Sequence, residues 1–169
     1  MPETGLESPH TALAEALRAS GLRVTAPRLG VMAALRSRPH SDTDTVIGLV
    51  REELGAVSAQ AVYNVLGTLV EVGLVRRIEP AGSLALYEVR VGDNHHHIVC
   101  RRCRATTDVD CAVGRRPCLT PSETCGYALD EAEVTFWGLC PHCQTRRDVE
   151  NETTRTRDDT HNEAGPSTA

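Results

Sequence analysis

The chain has 169 residues, a formal net charge of −5, seven cysteines, and 18 basic residues that are all arginine. That length allows one core or two small ones, and the acidic balance excludes nucleic-acid binding by bulk attraction, so any DNA contact must rest on a local patch. The sequence shows no basic start followed by an apolar run and no stretch near the ~20 apolar residues of a membrane span, which predicts a soluble, cytoplasmic protein without a membrane partner. Seven cysteines in a reducing compartment point to metal ligation or redox sensing rather than a disulfide framework.

Four helices are predicted first. "SPHTALAEALRASG" has Ser8 as cap, Pro9 in the first turn, Leu13 and Leu17 on a buried stripe, and Gly21 at the exit. "TAPRLGVMAALRS" follows with Thr25 as cap and Leu29, Met32, Ala33 and Leu35 at helical spacing, ending before Pro39. In "DTDTVIGLVREELG", Asp42 caps, Val46, Leu49, Val50 and Leu54 form the inward face, and Gly55 ends the run. In "SAQAVYNVLGTLVEVG", Ser58 caps, Ala61, Val62, Val65, Leu66 and Leu69 point inward, and Gly73 closes. "LVRRIEPAGSLALYEV" then alternates around the turn "PAGS", a hairpin signal.

Helices joined by a short turn and trailed by a hairpin describe a winged helix-turn-helix. Its second helix would enter the major groove with Gln60, Tyr63 and Asn64, and Arg76 and Arg77 at the wing entrance would meet phosphates. A plain helical bundle with solvated tyrosine and asparagine is the competing reading of this half alone.

Beyond residue 92 the texture becomes strand-like in "HHIVC", "ATTDVD" and "GYALDEAEVTFWGLC", with a short helix expected around "TPSETC". The fold class is therefore α+β: a winged-helix domain over 1–89, a metal-binding dimerisation domain over 90–146, and a disordered tail over 147–169, which is too polar to offset its ordering entropy.

"CRRC" (Cys100, Cys103) and "CPHC" (Cys140, Cys143) have the spacing of two zinc knuckles supplying four thiolates. A closed four-sulfur site leaves no open position and would staple a small domain. A redox pair of the thioredoxin type is disfavoured by the two copies and the lack of a βαβ pattern. Side chains alternate along a strand, so His95 and His97 share one face and His96 takes the other. Two imidazoles make half a metal site, for which His40, Glu88 and Asp108 are nitrogen and oxygen candidates. Such a set suits iron(II), manganese(II) or zinc better than copper(I). A solvated strand face is the plainer alternative for the histidine triplet.

With these residues in view, the chain to Cys143 resembles the ferric uptake regulator family, and its peroxide-sensing actinobacterial branch above all. The motifs that carry the resemblance are "GLRVTAPRLGVMAAL", "QAVYNVLGTLVEVGLVRRI", "YEVRVGDNHHHIVCRRC", "DVDCAVGRRPCL" and "EVTFWGLCPHC". The resemblance implies a homodimeric repressor that binds a double-stranded DNA operator through winged helices hinged to α/β dimerisation domains. It implies structural zinc on Cys100, Cys103, Cys140 and Cys143, and a regulatory iron(II) or manganese(II) on His40, Glu88, His95, His97 and Asp108. A metal drawing on both sides of the hinge would set the angle between the domains. For the branch, the resemblance further implies peroxide sensing through iron(II), with oxidation at His40 or His95, and control of a catalase-peroxidase gene.

The sequence departs from the family at several points. Asn94 and His96 stand where many members have histidine and aspartate, Asn64 where arginine is commoner, and Asp108 where iron-uptake members have glutamate. Cys111 and Cys118 belong to the pattern "DVDCAVGxxPCL" and Cys125 has no assigned role; all three are expected as buried small residues. The sister reading is a repressor sensing iron or zinc supply, although zinc sensing usually brings a cysteine into the sensory set. A zinc metalloenzyme is the remote alternative, and the motifs HExxH, GxSxG and GxxxxGK[ST] are missing from the sequence.

Overall fold

Among the described residues, the alternation of short amphipathic runs and turn residues resolves into α-helices at the start of the chain, a two-stranded wing, a three-stranded sheet and a short helical segment after it. The structure is a computed structural model that describes residues 9–89, 95–113, 117–129 and 132–146. Two compact units divide between residues 93 and 94. Ser8, Asn94 and the 147–169 tail lie outside the described residues, so the expectations placed on them are not taken further.

The first unit contains α1 (Pro9–Ala19), α2 (Ala26–Ser37), α3 (Thr43–Leu54), α4 (Ala59–Glu71), β1 (Arg76–Ile78) and β2 (Leu86–Glu88). Its core joins Leu13 and Leu17 of α1, Val31, Met32 and Leu35 of α2, Val46, Ile47 and Val50 of α3, and Val62, Leu66 and Leu69 of α4. Capping follows side-chain chemistry. The Thr45 N–H donates to Asp42 Oδ1 at 2.8 Å and the Ala61 N–H to Ser58 Oγ at 3.1 Å, each satisfying an orphan donor of the first turn. Thr25 occupies the N-cap of α2, but its side chain makes no capping bond; Pro27 near the helix start has no N–H to satisfy.

One inward position is corrected. Leu54 is 36% exposed whereas Ile47 is buried. Leu54 ends α3 and lies over Gly30, where an added Cβ would meet its Cδ1 at 3.0 Å, so it covers a close helix approach rather than filling the core.

The wing pairs Arg76 with Glu88, Arg77 with Tyr87 and Ile78 with Leu86. At its tip the Ser83 N–H donates to the Pro80 carbonyl at 2.9 Å, and Gly82 takes a φ of 73° that suits glycine. A bridge from Ser41 to Tyr87 lines the other edge of β2, with the Tyr87 N–H donating to the Ser41 carbonyl at 2.9 Å.

The second unit contains β3 (His95–Cys100), β4 (Thr106–Asp110) and β5 (Thr135–Gly138), in the order β4-β3-β5. β4 runs antiparallel to β3 and β5 parallel to it. The expected long strand through "GYALDEAEVTFWGLC" is only β5, because pairing with β3 extends over four residues, His97 to Cys100. Among the described residues no helix forms around "TPSETC". Cys125 and Gly126 both take positive φ, 50° and 83°, and the Tyr127 N–H donates to the Thr124 carbonyl at 2.9 Å, which makes a tight turn. Residues 141–146 are helical. The buried hydrophobics described in this unit are Val99, Cys100 and Cys143, while Ile98, Phe136, Leu119 and Tyr127 are exposed. No described helix is long and apolar enough to cross a membrane.

Candidate metal centres and DNA-reading surface

The paired cysteines converge. β3 delivers Cys100 to a turn in which the Arg104 N–H donates to the Cys100 carbonyl at 2.9 Å and Arg104 adopts a φ of 63°. The second pair stands at the start of the 141–146 helix, where the Gln144 N–H donates to the Cys140 carbonyl at 3.0 Å. All four sulfurs lie within 4.8 Å of one another, and Cys103 Sγ and Cys140 Sγ are 3.7 Å apart. Tetrahedral zinc with Zn–S bonds of ~2.3 Å requires an S···S edge of about 3.8 Å. The Cys140 N–H donates to Cys100 Sγ at 3.4 Å.

Backbone N–H groups of Cys103 and Cys140 lower the Cys100 pKa to about 6, while burial pushes the Cys143 thiol up to about 12. A thiolate is favoured at one end of the cluster and opposed at the other unless a cation joins them. The donor set, its spacing and this asymmetry fit zinc.

The histidine triplet is not a solvated face: His95, His96 and His97 are all buried. In the β3–β4 ladder His97 faces Asp108 directly, which sets the carboxylate on the same side as the two odd-numbered imidazoles. Asp108 Oδ1 lies 3.5 Å from His97 Nε2 and 3.9 Å from His95 Nε2, and the two rings meet edge to face with centroids 5.0 Å apart. These separations exceed hydrogen bonds, and the shorter matches the ~3.4 Å edge of a tetrahedron built on 2.1 Å metal–ligand bonds. Among these donors there is no sulfur.

In the first unit His40 Nε2 lies 2.9 Å from Glu88 Oε2, with the carboxylate fully buried. His40 reaches it because the Ser41–Tyr87 bridge holds the segment after α2 against β2. His40 itself takes a φ of 55°, a conformation costly for a non-glycine residue and maintained by its surroundings. Ser41 had no signal in the sequence; it is a backbone partner, and its side chain donates to the Arg38 carbonyl at 2.8 Å.

On α4, Gln60, Tyr63 and Asn64 all face outward, with Tyr63 51% exposed. Gln60 Nε2 donates to Asn64 Oδ1 at 2.8 Å, an i to i+4 pair that orders two of the three. Arg77 is exposed and ion-paired with Glu79, a partner the sequence reading missed. Arg76, half-buried, faces Glu88 in the ladder.

Cys111 and Cys118 are half-buried and Cys125 is exposed, so none is the buried small residue expected. Burial, followed by the Cys111 thiol, raises the Cys118 pKa. None of the seven cysteines is in a disulfide.

The description "Ferric uptake regulator family" belongs to a family model that matches residues 19–136. The chain belongs to the ferric uptake regulator family. Among its relatives in that family, "Transcriptional regulator FurA" of Mycobacterium tuberculosis is 61% identical over 130 residues, 77% of this chain and 88% of the relative. "Ferric uptake regulation protein 1" of Mycolicibacterium fortuitum is 57% identical over 72% of this chain and 75% of its own. The structure is also similar to that of a ferric uptake regulator from Pseudomonas aeruginosa with manganese, at 26% identity and a TM-score of 0.60, covering 76% of this chain and 98% of the other.

Proposed function

We propose that this ferric uptake regulator family member is a homodimeric, metal-dependent transcriptional repressor, not an enzyme, which releases its operator when peroxide reacts at a regulatory iron(II). The observation that carries the reading is the sulfur-free convergence of His95, His97 and Asp108 on one face of β3 and β4, apart from the four cysteines. His40 and Glu88 complete the proposed set, and the four cysteines hold structural zinc. Bound iron(II) would supply the electrons that activate peroxide, whereas manganese(II) would support DNA binding without that reaction.

The chain's own residues do the rest. His40, Glu88, His95, His97 and Asp108 would hold the ion through nitrogen and oxygen donors alone, a set that suits iron(II) or manganese(II). One oxygen atom of the peroxide passes to the imidazole of His40 or His95 and the other leaves as water. An oxidised ring is a poorer donor, so the ion would be released and the repressor would leave its operator. The regulated gene in this proposal encodes a catalase-peroxidase.

The test is brief peroxide treatment of the anaerobic iron(II) form, followed by peptide mass analysis and binding to the promoter of that gene. One oxygen should be added to a peptide containing His40 or His95, with loss of DNA binding, while the manganese form keeps both its mass and its operator. An unmodified iron form that stays on DNA overturns peroxide sensing and leaves response to metal supply.

A further inference from the structure

His96 occupies the face of β3 opposite His95 and His97, and it does not stand alone there. Its Nε2 lies 3.3 Å from Cys118 Sγ, and the donor atoms of His96, Cys111 and Cys118 all lie within 4.8 Å of one another. Cys111 directly follows β4, and Cys118 lies further along the connection that leads to β5. The imidazole is only 7% exposed, its Nδ1 is buried without a hydrogen-bond partner among the described residues, and the Phe136 ring meets it edge-on at 6.3 Å. A buried ring wedged against one thiol, with a second thiol in reach, needs a physical account that packing of small residues does not supply.

We propose that His96, Cys111 and Cys118 form an additional metal site that takes a thiophilic d10 cation, zinc(II) or copper(I). The site shares no residue with the four-cysteine cluster or with the His95, His97 and Asp108 set, and His96 stands on the opposite face of β3 from those histidines. One imidazole and two thiolates are a soft set. Zinc(II) would complete four-coordination with a solvent molecule, and copper(I) would be satisfied by the three protein donors. Iron(II) and manganese(II), which suit the nitrogen–oxygen face, are disfavoured here. Binding releases the two thiol protons and leaves His96 Nε2 as the nitrogen donor, with the remaining ring proton on Nδ1. Loading the site would tie Cys111 and Cys118 to the strand that carries His95 and His97 on its other face.

The experiment uses the full-length dimer, reduced, anaerobic and already loaded with zinc at the four cysteines. Cobalt(II) is added as a spectroscopic substitute for zinc, and copper(I) is added separately against a colorimetric chelator. Thiolate-to-cobalt charge transfer should appear in the near ultraviolet, a band that the nitrogen–oxygen set cannot produce. Cys111→Ser and Cys118→Ser should each abolish it, and His96→Ala should weaken and shift it, with the zinc content of all three equal to wild type. Loss of one copper(I) equivalent per chain in Cys118→Ser, with no cobalt band in wild type, assigns the site to copper(I). A cobalt band without copper(I) binding assigns it to zinc(II). If the band survives both cysteine variants, it arises from exchange at the four cysteines and the proposal fails; it fails equally if wild type binds neither ion.

Discussion

Asp42 shows how one side chain sets a pH dependence. The hydrogen bonds from Thr45 hold its carboxyl below the ordinary value of 3.8. A carboxyl depressed in the folded state contributes stability above its unfolded pKa and loses it as pH falls through the folded value. Asp42→Ala should therefore cost about 1 kcal/mol at neutral pH, and the gap to wild type should narrow in acid, as denaturant melts across pH would record. A gap independent of pH would mean that helix propensity, not the charged cap, accounts for the loss. His40 presents a different residue-scale case, since its positive φ is held by the Ser41–Tyr87 bridge. A 48-residue separation hides that pairing with Glu88 from any local pattern; donor chemistry made both residues candidates, and the resemblance put them in one set.

At the scale of elements, α4 and the wing are the parts proposed to meet DNA. Tyr63 projects from α4 toward solvent, whereas Arg77 shares its charge with Glu79. Glu79→Ala should release the guanidinium and tighten binding to all sequences alike. Arg77→Ala should weaken all sequences alike and flatten the dependence of log affinity on log salt by about one unit. Fluorescence anisotropy over a salt series measures both, and an effect confined to one operator base would show that the wing reads sequence. Strand alternation was legible in the sequence because a period of two needs no tertiary information: His95 and His97 do meet Asp108 on one face while His96 turns away. The inward face of α3 was misphased at Leu54, since one apolar residue at a helix end fits the stripe equally well whether it enters the core or covers Gly30. The Cys118 partner of His96 was illegible because the path from β4 to β5 decides it.

For the molecule as a whole, the apolar core lies in the first unit, and the buried hydrophobics described in the second are Val99 and two cysteines of the four-sulfur cluster. The proposed zinc would supply part of what packing does not. Cys143→Ser should lose zinc, and hydrogen exchange should accelerate across β3, β4 and β5 while α2 to α4 remain protected; uniform protection in both units would refute zinc as a structural staple. The exposed pair Ile98 and Phe136, aligned in the β3–β5 register, is the surface expected to bury itself between protomers. Phe136→Asp should shift sedimentation from dimer to monomer with the zinc retained, and an unchanged dimer would move the interface elsewhere. Arg101 and Arg104, on the turn that carries the first cysteine pair, place their guanidinium carbons 5.3 and 5.9 Å from the ring centroid of Trp137, the single tryptophan of the chain. The knuckle thus stands over the molecule's one indole, whose emission depends on nearby charge, so zinc loss can be followed in unlabelled protein as a change in intrinsic fluorescence. The protein would carry its own optical gauge of whether the proposed zinc is in place.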